Sequence, residues 1–175
     1  CVTEGNAGKG LHPGSGSQRP VVRRCRSLNN DDDGFFFCWR VRNAVVEENE
    51  FRGNKGFGVS IGHKDSDNLV RGNVIMENAK GGVYWRNEKE PMAAHRIDFR
   101  DNTVEDNANV GLRIEGETRG TMIRGNTIRD TGKGRQTVGI KIGPKAGDVV
   151  VEENTIKAEK KLVDLNNKDN KVASD

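Results

Sequence analysis

The sequence predicts an all-β solenoid of about six stacked coils, because one short pattern returns along the chain at a fixed interval. Glycine recurs every 24 residues from Gly10 to Gly82, and the register continues at Gly111 and Gly139 after steps of 29 and 28 residues. A second column, in phase with the glycines, holds Cys1, Cys25, Asn49, Asn73, Asn102, Asn126 and Asn154. A third column holds Asn6, Asn30, Asn54, Asn78 and Asn107. Such periods are typical of solenoids, in which each repeat forms one coil.

Each repeat is predicted to contain three short strands, because apolar residues alternate with polar ones at three places in the unit. In the unit 45–62, Val46 marks the first strand, Phe51 the second, and Val59 with Ile61 the third. We expect these side chains to point into the coil and to stack on their equivalents in neighbouring coils. The equivalents are Val22, Val70, Phe99, Ile123 and Val151 for the first strand, Ile75, Val104, Ile128 and Ile156 for the second, and Val83 with Trp85, Leu112 with Ile114 and Ile140 with Ile142 for the third.

The asparagine and glycine columns are predicted to form the corners between strands, because both residue types tolerate the left-handed backbone conformation. Stacked asparagine side chains can also hydrogen-bond along the coil axis and satisfy buried backbone groups. Glycine or asparagine interrupts every potential helical stripe, so helix is expected to be minor. A leucine-rich repeat is the alternative, but a second alternating strand stands where that repeat would place a helix or a loose turn.

Length and charge narrow the functional classes. The 175 residues are a single-domain length, and the apolar content of 33% suits a coil that buries only a narrow internal column. The 29 basic and 26 acidic residues give a net charge of +3, which argues against a nucleic-acid-binding domain with one dominant cationic face. No apolar stretch is long enough to cross a membrane, so no membrane insertion is expected.

The domain boundaries follow from where the repeat stops. We assign residues 1–165 to the solenoid and residues 166–175 to a polar C-terminal tail. Because Cys1 already stands in a corner column, the chain is expected to be a fragment, with missing coils or a cap in the full-length protein. Cys1 and Cys25 share a column while Cys38 does not, so small buried thiols and a Cys1–Cys25 disulfide both stay open. No spacing indicates a zinc site.

The repeated N-x-[IV] and G-[IVL]-x-[IVW] elements resemble the coils of the pectin-lyase-like superfamily over residues 1–165. This resemblance implies a right-handed parallel β-helix. It does not imply a single function, since the same coil serves polysaccharide lyases, hydrolases, epimerases, and phage or surface adhesins. It also implies an extracellular or cell-envelope protein that meets polysaccharide.

Aromatic, cationic and titratable residues concentrate on the outward side of the second to fourth units. They are Trp39, Arg40, His63, Lys64, Asp65, Tyr84 and Arg86. Aromatic faces pack on sugar rings, and arginine and lysine pair with carboxylates. This composition suits an acidic polysaccharide, which is the expected partner.

The composition of this face favours a lyase on a uronic-acid polymer, one of the activities of the superfamily that the coils resemble, in which a cation neutralises the uronate carboxylate and a base removes the neighbouring C5 proton. The expected catalytic residues are His63, Lys64 or His12 as the base and Tyr84 as the acid. The expected substrate-binding residues are Trp39, Arg40, Arg86, Arg113 and Asp65. A non-catalytic carbohydrate-binding or adhesin module is the alternative. A uronate C5-epimerase is the minor one, since the segment 10–14 resembles its D-P-H-D signature without the two acidic residues.

Two further sequence patterns are candidates for a hydrolytic site and for a calcium site. Hydrolysis needs two converging carboxylates, and neither Asp65 with Asp67 nor Glu88 with Glu117 stands out as such a pair. The run 31–33 of three aspartates raises a weak calcium hypothesis, because acidic oxygen clusters bind hard cations. Its place just before a glycine corner favours a solvated turn instead, and no other cofactor is expected.

Overall fold

The chain winds through three parallel sheets in turn. The computed structural model describes residues 1–166 and 168–173, and it contains twenty short strands, numbered β1 to β20 in chain order. Each sheet collects one strand from successive coils, and every strand pair in the three sheets is parallel. This is the solenoid that the 24-residue repeat predicts.

Two of the sheets have seven strands and the third has six. Sheet A contains β1 (Val2–Glu4), β3 (Arg26–Leu28), β6 (Glu50–Arg52), β9 (Val74–Met76), β12 (Thr103–Glu105), β15 (Thr127–Arg129) and β18 (Thr155–Lys157). Sheet B contains β4 (Phe35–Phe36), β7 (Phe57–Ile61), β10 (Gly81–Trp85), β13 (Val110–Ile114), β16 (Val138–Ile142) and β19 (Lys160–Asp164). Sheet C contains β2 (Val21–Arg23), β5 (Val45–Glu47), β8 (Leu69–Arg71), β11 (Asp98–Arg100), β14 (Thr121–Arg124), β17 (Val149–Glu152) and β20 (Lys171–Val172). Sheets A and C thus have one strand more than the six expected coils.

The strand register follows the sequence columns. Val46 lies opposite Val22 on one side and Val70 on the other. Val70 lies opposite Phe99 although 29 residues separate them, and Phe99 lies opposite Ile123. The extra residues of the longer units therefore leave the sheets as loops and do not shift the register.

The predicted inward columns form the core. The side chains of Val46, Val70 and Phe99 are fully buried, and Val22 is half-buried against them. Trp85 is the largest fully buried side chain, and its ring meets Phe99 edge to face with the centroids 5.8 Å apart. The core is a narrow apolar column along the coil axis, as the low apolar content predicts.

The asparagine columns form two hydrogen-bond ladders along that axis. The side-chain oxygen of Asn73 accepts bonds from the backbone N–H of Asn49, at 3.0 Å, and from its side-chain amide, at 2.9 Å. Asn73 in turn donates both of its corresponding groups to the oxygen of Asn102. The second ladder runs from Asn6 and ends where Asn107 donates to Gln136. The predicted stacking of asparagine is confirmed.

The predicted backbone conformation of these columns is wrong. Neither the ladder asparagines nor the column glycines have positive φ; the residue immediately before each ladder asparagine has it instead, as at Glu48 (φ 56°) and Asp101 (φ 56°). The preceding residue makes the bend, and the asparagine side chain then binds the next coil. Column glycines serve a different need, because a Cβ atom at Gly58 would lie 2.7 Å from Nδ2 of Asn78 and 2.9 Å from the carbonyl oxygen of Gly82.

Within the described part of the segment 166–175, residues 171 and 172 extend sheet C. Strand β20 pairs with β17, with Val172 opposite Val151. Asn166 donates to the carbonyl oxygen of Ala146 at 2.9 Å. Within residues 1–166 and 168–173, no helix has the length and apolar character needed to span a membrane.

Candidate functional site

An exposed aromatic stack lies at the corner that follows sheet B. The Trp39 ring is 46% exposed and stacks on the His63 ring of the next coil, with the centroids 4.7 Å apart and the planes 22° from parallel. Both residues have left-handed backbone, with φ of 52°. The backbone N–H of Arg40 also donates to the carbonyl oxygen of His63, which fixes the two corners against each other. The repeat predicts that the Trp39 and His63 rings lie on one surface, and in the structure they are in contact.

Glu88, in the coil after His63, holds the imidazole in place. Its Oε1 lies 2.7 Å from Nδ1 of His63, and its Oε2 accepts the backbone N–H of the same histidine. A carboxylate at Nδ1 favours the tautomer that has its proton there, which leaves the lone pair on Nε2. His63 is therefore arranged as a proton acceptor at Nε2. From the sequence, Glu88 was considered only as half of a hydrolytic pair, and its contact with His63 was not predicted.

Arg86 is directed into the protein surface and not toward solvent. Its guanidinium donates to Oδ2 of Asp65 at 3.2 Å and to Oγ of Ser60 at 3.1 Å. It also lies over the Phe36 ring, 4.3 Å from the centroid. The side chain passes across Gly62, where a Cβ atom would lie 2.5 Å from its Nε. Arg86 is thus already paired, which differs from the free carboxylate clamp expected of it.

Asp65 is a buried anchor of this corner. Its side chain is 0% exposed, and its two oxygens accept the backbone N–H groups of Val41, at 3.0 Å, and Gly62, at 3.1 Å. Burial raises the pKa of the Asp65 carboxyl to about 6, against the opposing effect of these hydrogen bonds and of Arg86. Within the described residues, the Asp65 carboxylate binds the backbone of Val41 and Gly62 and the Arg86 guanidinium, and its contact with a substrate stays a prediction.

Tyr84 and Arg113 form a second group one coil further on. The Tyr84 hydroxyl donates to Oε2 of Glu115 at 3.3 Å, and Arg113 donates to Oε1 of the same carboxylate at 2.8 Å. The Tyr84 ring lies between Phe57, with centroids 4.7 Å apart, and the Arg113 guanidinium, 5.3 Å from the centroid. Burial raises the pKa of the Tyr84 hydroxyl. Glu115 was not identified from the sequence, although it follows Arg113 by only two residues.

Two cations that follow the stacked rings in the sequence have no carboxylate partner among the described residues. Arg40 is exposed, and its guanidinium donates to Oγ of Ser15 at 2.9 Å. Lys64 is half-buried, and its backbone N–H donates to the carbonyl oxygen of Met92. Within residues 1–166 and 168–173, neither side chain forms an ion pair. These two charges are available to a ligand, in contrast with those of Arg86 and Arg113.

His12 lies apart from this group. Its ring is exposed, and Nδ1 is 3.4 Å from the carbonyl oxygen of Pro13 in the same segment. Across the described part of the chain, the structure gives it no contact with Trp39 or His63. The structure thus does not bring the predicted alternative base His12 together with the Trp39–His63 stack.

The three consecutive aspartates each have a partner within the protein. Asp31 pairs with Lys55 at 2.8 Å, and Asp32 pairs with Lys9. Asp33 is buried and accepts the backbone N–H of Phe57 at 2.8 Å. No group of three or more potential metal ligands occurs among the residues that the structure describes. The local geometry is that of a corner tied to its neighbours.

Comparison with known proteins identifies the fold family. Residues 1–92 match the family described as right-handed β-helix region. The crystal structure of the Dettilon tailspike protein matches with a TM-score of 0.64 and 12% sequence identity, covering 85% of this chain and 37% of the tailspike chain. At that identity the likeness shows the fold alone, and this chain corresponds to about a third of the tailspike. No curated protein matches this chain.

Proposed function

This chain belongs to the right-handed β-helix region family, and we propose that it is a module that binds acidic polysaccharide outside the cell or at the cell envelope. One observation supports this more than any other. The exposed Trp39–His63 stack is bordered by Arg40 and Lys64, whose charges have no carboxylate partner among the described residues.

The chemistry of these four side chains matches that of an acidic sugar. A pyranose presents an apolar face of C–H groups, which packs on an aromatic ring such as that of Trp39. Arginine and lysine donate charge-assisted hydrogen bonds to a carboxylate. Because Arg40 and Lys64 are not neutralised internally, a ligand gains their full attraction without first breaking an ion pair.

Binding is tested by retention on immobilised pectate, alginate and a glycosaminoglycan, followed by titration calorimetry on the polymer that is retained. We expect Trp39→Ala to weaken binding by roughly 1 kcal/mol or more, about fivefold or greater in Kd. Arg40→Ala and Lys64→Ala should weaken it by a similar amount and reduce its dependence on salt concentration.

A matched control is Arg129→Ala, since Arg129 is half-exposed and pairs with Glu105 on sheet A, away from the stack. This variant should bind as tightly as the wild type. If all three test variants bind like Arg129→Ala on every retained polymer, the stack is not the binding surface. If no polymer is retained at low salt, acidic polysaccharide is not the ligand.

A second candidate function, lyase activity on the same ligand, is favoured by the His63–Glu88 pair. In such a reaction Nε2 of His63 removes the C5 proton of the uronate, the C4–C5 double bond forms, and the C4–O bond breaks. The leaving oxygen takes a proton from water, and Arg40 and Lys64 neutralise the substrate carboxylate beforehand. Glu88 keeps the imidazole oriented and stabilises the charge that develops on it.

Lyase activity is tested by the ultraviolet absorbance of the unsaturated product, with and without calcium. We expect His63→Ala to abolish product formation while retention on the polymer falls only slightly. Glu88→Gln should lower turnover and leave retention nearly intact, because the amide has one acceptor oxygen for the two N–H groups of His63 and does not stabilise positive charge on the ring. Retention without any absorbance in the wild type would reject the lyase and leave the binding module standing.

A further inference from the structure

Two cysteines occupy the first positions of an asparagine ladder. Cys1 and Cys25 precede Asn49 in that column, and their Sγ atoms lie 3.2 Å apart. Cys1 is exposed and Cys25 is buried, whereas Cys38 lies outside the column. All three cysteines carry free thiols in the structure.

The ladder loses its strong hydrogen bonds where cysteine begins. The backbone N–H of Cys25 still donates to Oδ1 of Asn49, at 2.9 Å. Between Cys1 and Cys25 no side-chain amide is present: the two thiols are in contact, and the backbone nitrogen of Cys1 donates to Sγ of Cys25 at 3.4 Å. A thiol is a weak donor and a weak acceptor, so this contact stabilises the first step far less than an amide pair would.

The backbone geometry of this pair suits a covalent link. Strands β1 and β3 are parallel neighbours with Val2 opposite Arg26, and the backbone N–H of Arg26 donates to the carbonyl oxygen of Cys1 at 2.9 Å. Adjacent strands lie about 4.8 Å apart, within the range of roughly 4.4–6.8 Å that a disulfide requires between Cα atoms. Small rotations of the two side chains are then enough to bring the sulfur atoms together.

We propose that Cys1 and Cys25 are a disulfide site that ties the first coil to the second in an oxidising compartment. The oxidant is a small-molecule disulfide such as oxidised glutathione. The exposed Cys1 thiolate attacks it and releases one glutathione thiol, which leaves a mixed disulfide on Cys1. The Cys25 thiolate then attacks the Cys1 sulfur and releases the second glutathione thiol. Two protein thiols are oxidised and one glutathione disulfide is reduced. The bond is independent of any sugar-binding role.

The test incubates the whole chain with oxidised glutathione, quenches with acid, unfolds the protein and titrates its free thiols. We expect three thiols to fall to one. Peptide mapping should then join Cys1 to Cys25, with the mass of two hydrogen atoms lost. In the control Cys38→Ser, the same bond should form and no thiol should be left. In Cys25→Ser, no intramolecular bond should form.

Amide exchange shows whether the bond acts on the fold. Exchange at the Arg26 N–H should become about tenfold slower on oxidation, because opening of β1 from β3 is then restricted. A reductant should restore the original rate, and Cys25→Ser should show no change. The proposal is overturned if three thiols persist with excess oxidant, if Cys38 supplies the partner, or if only disulfide-linked dimers form.

Discussion

Replacing Asn73 by alanine should strongly destabilise the β-helix, because this one side chain connects three coils. Its amide donates to the carbonyl oxygens of Val46, at 2.9 Å, and Arg71, at 3.0 Å, and to Oδ1 of Asn102, at 2.9 Å. Its oxygen accepts the backbone N–H and the side-chain amide of Asn49. Alanine removes all five hydrogen bonds at a position that is only 1% exposed.

The magnitude follows from what is left unpaired. The buried N–H of Asn49 loses its acceptor, which costs about 1–3 kcal/mol, and each further bond contributes about 0.5–1.5 kcal/mol net. Because some of these groups keep other partners, such as the Asn49 amide with Val22, we expect a loss of about 3–4 kcal/mol in the free energy of unfolding.

Urea unfolding followed by circular dichroism measures this loss, together with amide exchange at Asn49. The matched control is Asn87→Ala, since Asn87 is exposed and uses only its backbone N–H, toward Tyr84. The control should unfold within about 0.5 kcal/mol of the wild type. If Asn73→Ala unfolds together with the control, the ladder does not stabilise the fold and our account of the repeat is wrong.

Two further changes test the corner geometry. Gly58→Ala should lower the free energy of unfolding, measured in urea, by roughly 2–3 kcal/mol, because the new Cβ would overlap the ladder side chain of Asn78. Gly8 has open space around it, so Gly8→Ala should change this free energy very little. Equal effects of the two substitutions would contradict the packing argument. Burial raises the pKa of Asp65 from 3.8 to about 6, so the native state keeps a proton there that the unfolded chain releases. The stability of the wild type relative to Asp65→Asn should therefore fall as pH rises from about 4 to about 6, and a difference that is flat over this range would refute the shift.

The fold could be predicted because its determinants are periodic. Val46, Val70 and Phe99 recur at the positions where parallel strands align, so a column in the sequence becomes a column in space. The corner conformation was missed although the sequence marks part of it: Gly53 and Gly72, which precede ladder asparagines, have positive φ, and so does Glu48 at the equivalent position. At Glu48 the residue type does not mark the bend, and there the ladder hydrogen bond of the following Asn49 offsets the strain.

The site was predictable in position but not in its pairings. Trp39 and His63 share a column, and their stacking follows from coil spacing. The contact of Glu88 with His63 depends on where the inserted loop leaves the sheet, and Arg86 reaches Phe36 two coils away by crossing Gly62. A repeat assigns each residue to a column, but it does not say how far a long side chain reaches along the axis.

The reach of each cationic side chain, and the carboxylate that it meets, determine which charges are available to bind a ligand. The net charge of +3 and the density of arginine around the site suggest an evenly cationic surface. In the structure, Arg86 and Arg113 are paired with Asp65 and Glu115, so a sugar carboxylate would have to displace a carboxylate already held in place. Arg40 and Lys64 carry no such cost. Affinity for an acidic polysaccharide should therefore depend on those two cations and Trp39, and the salt dependence of binding should correspond to two cationic contacts and not to four.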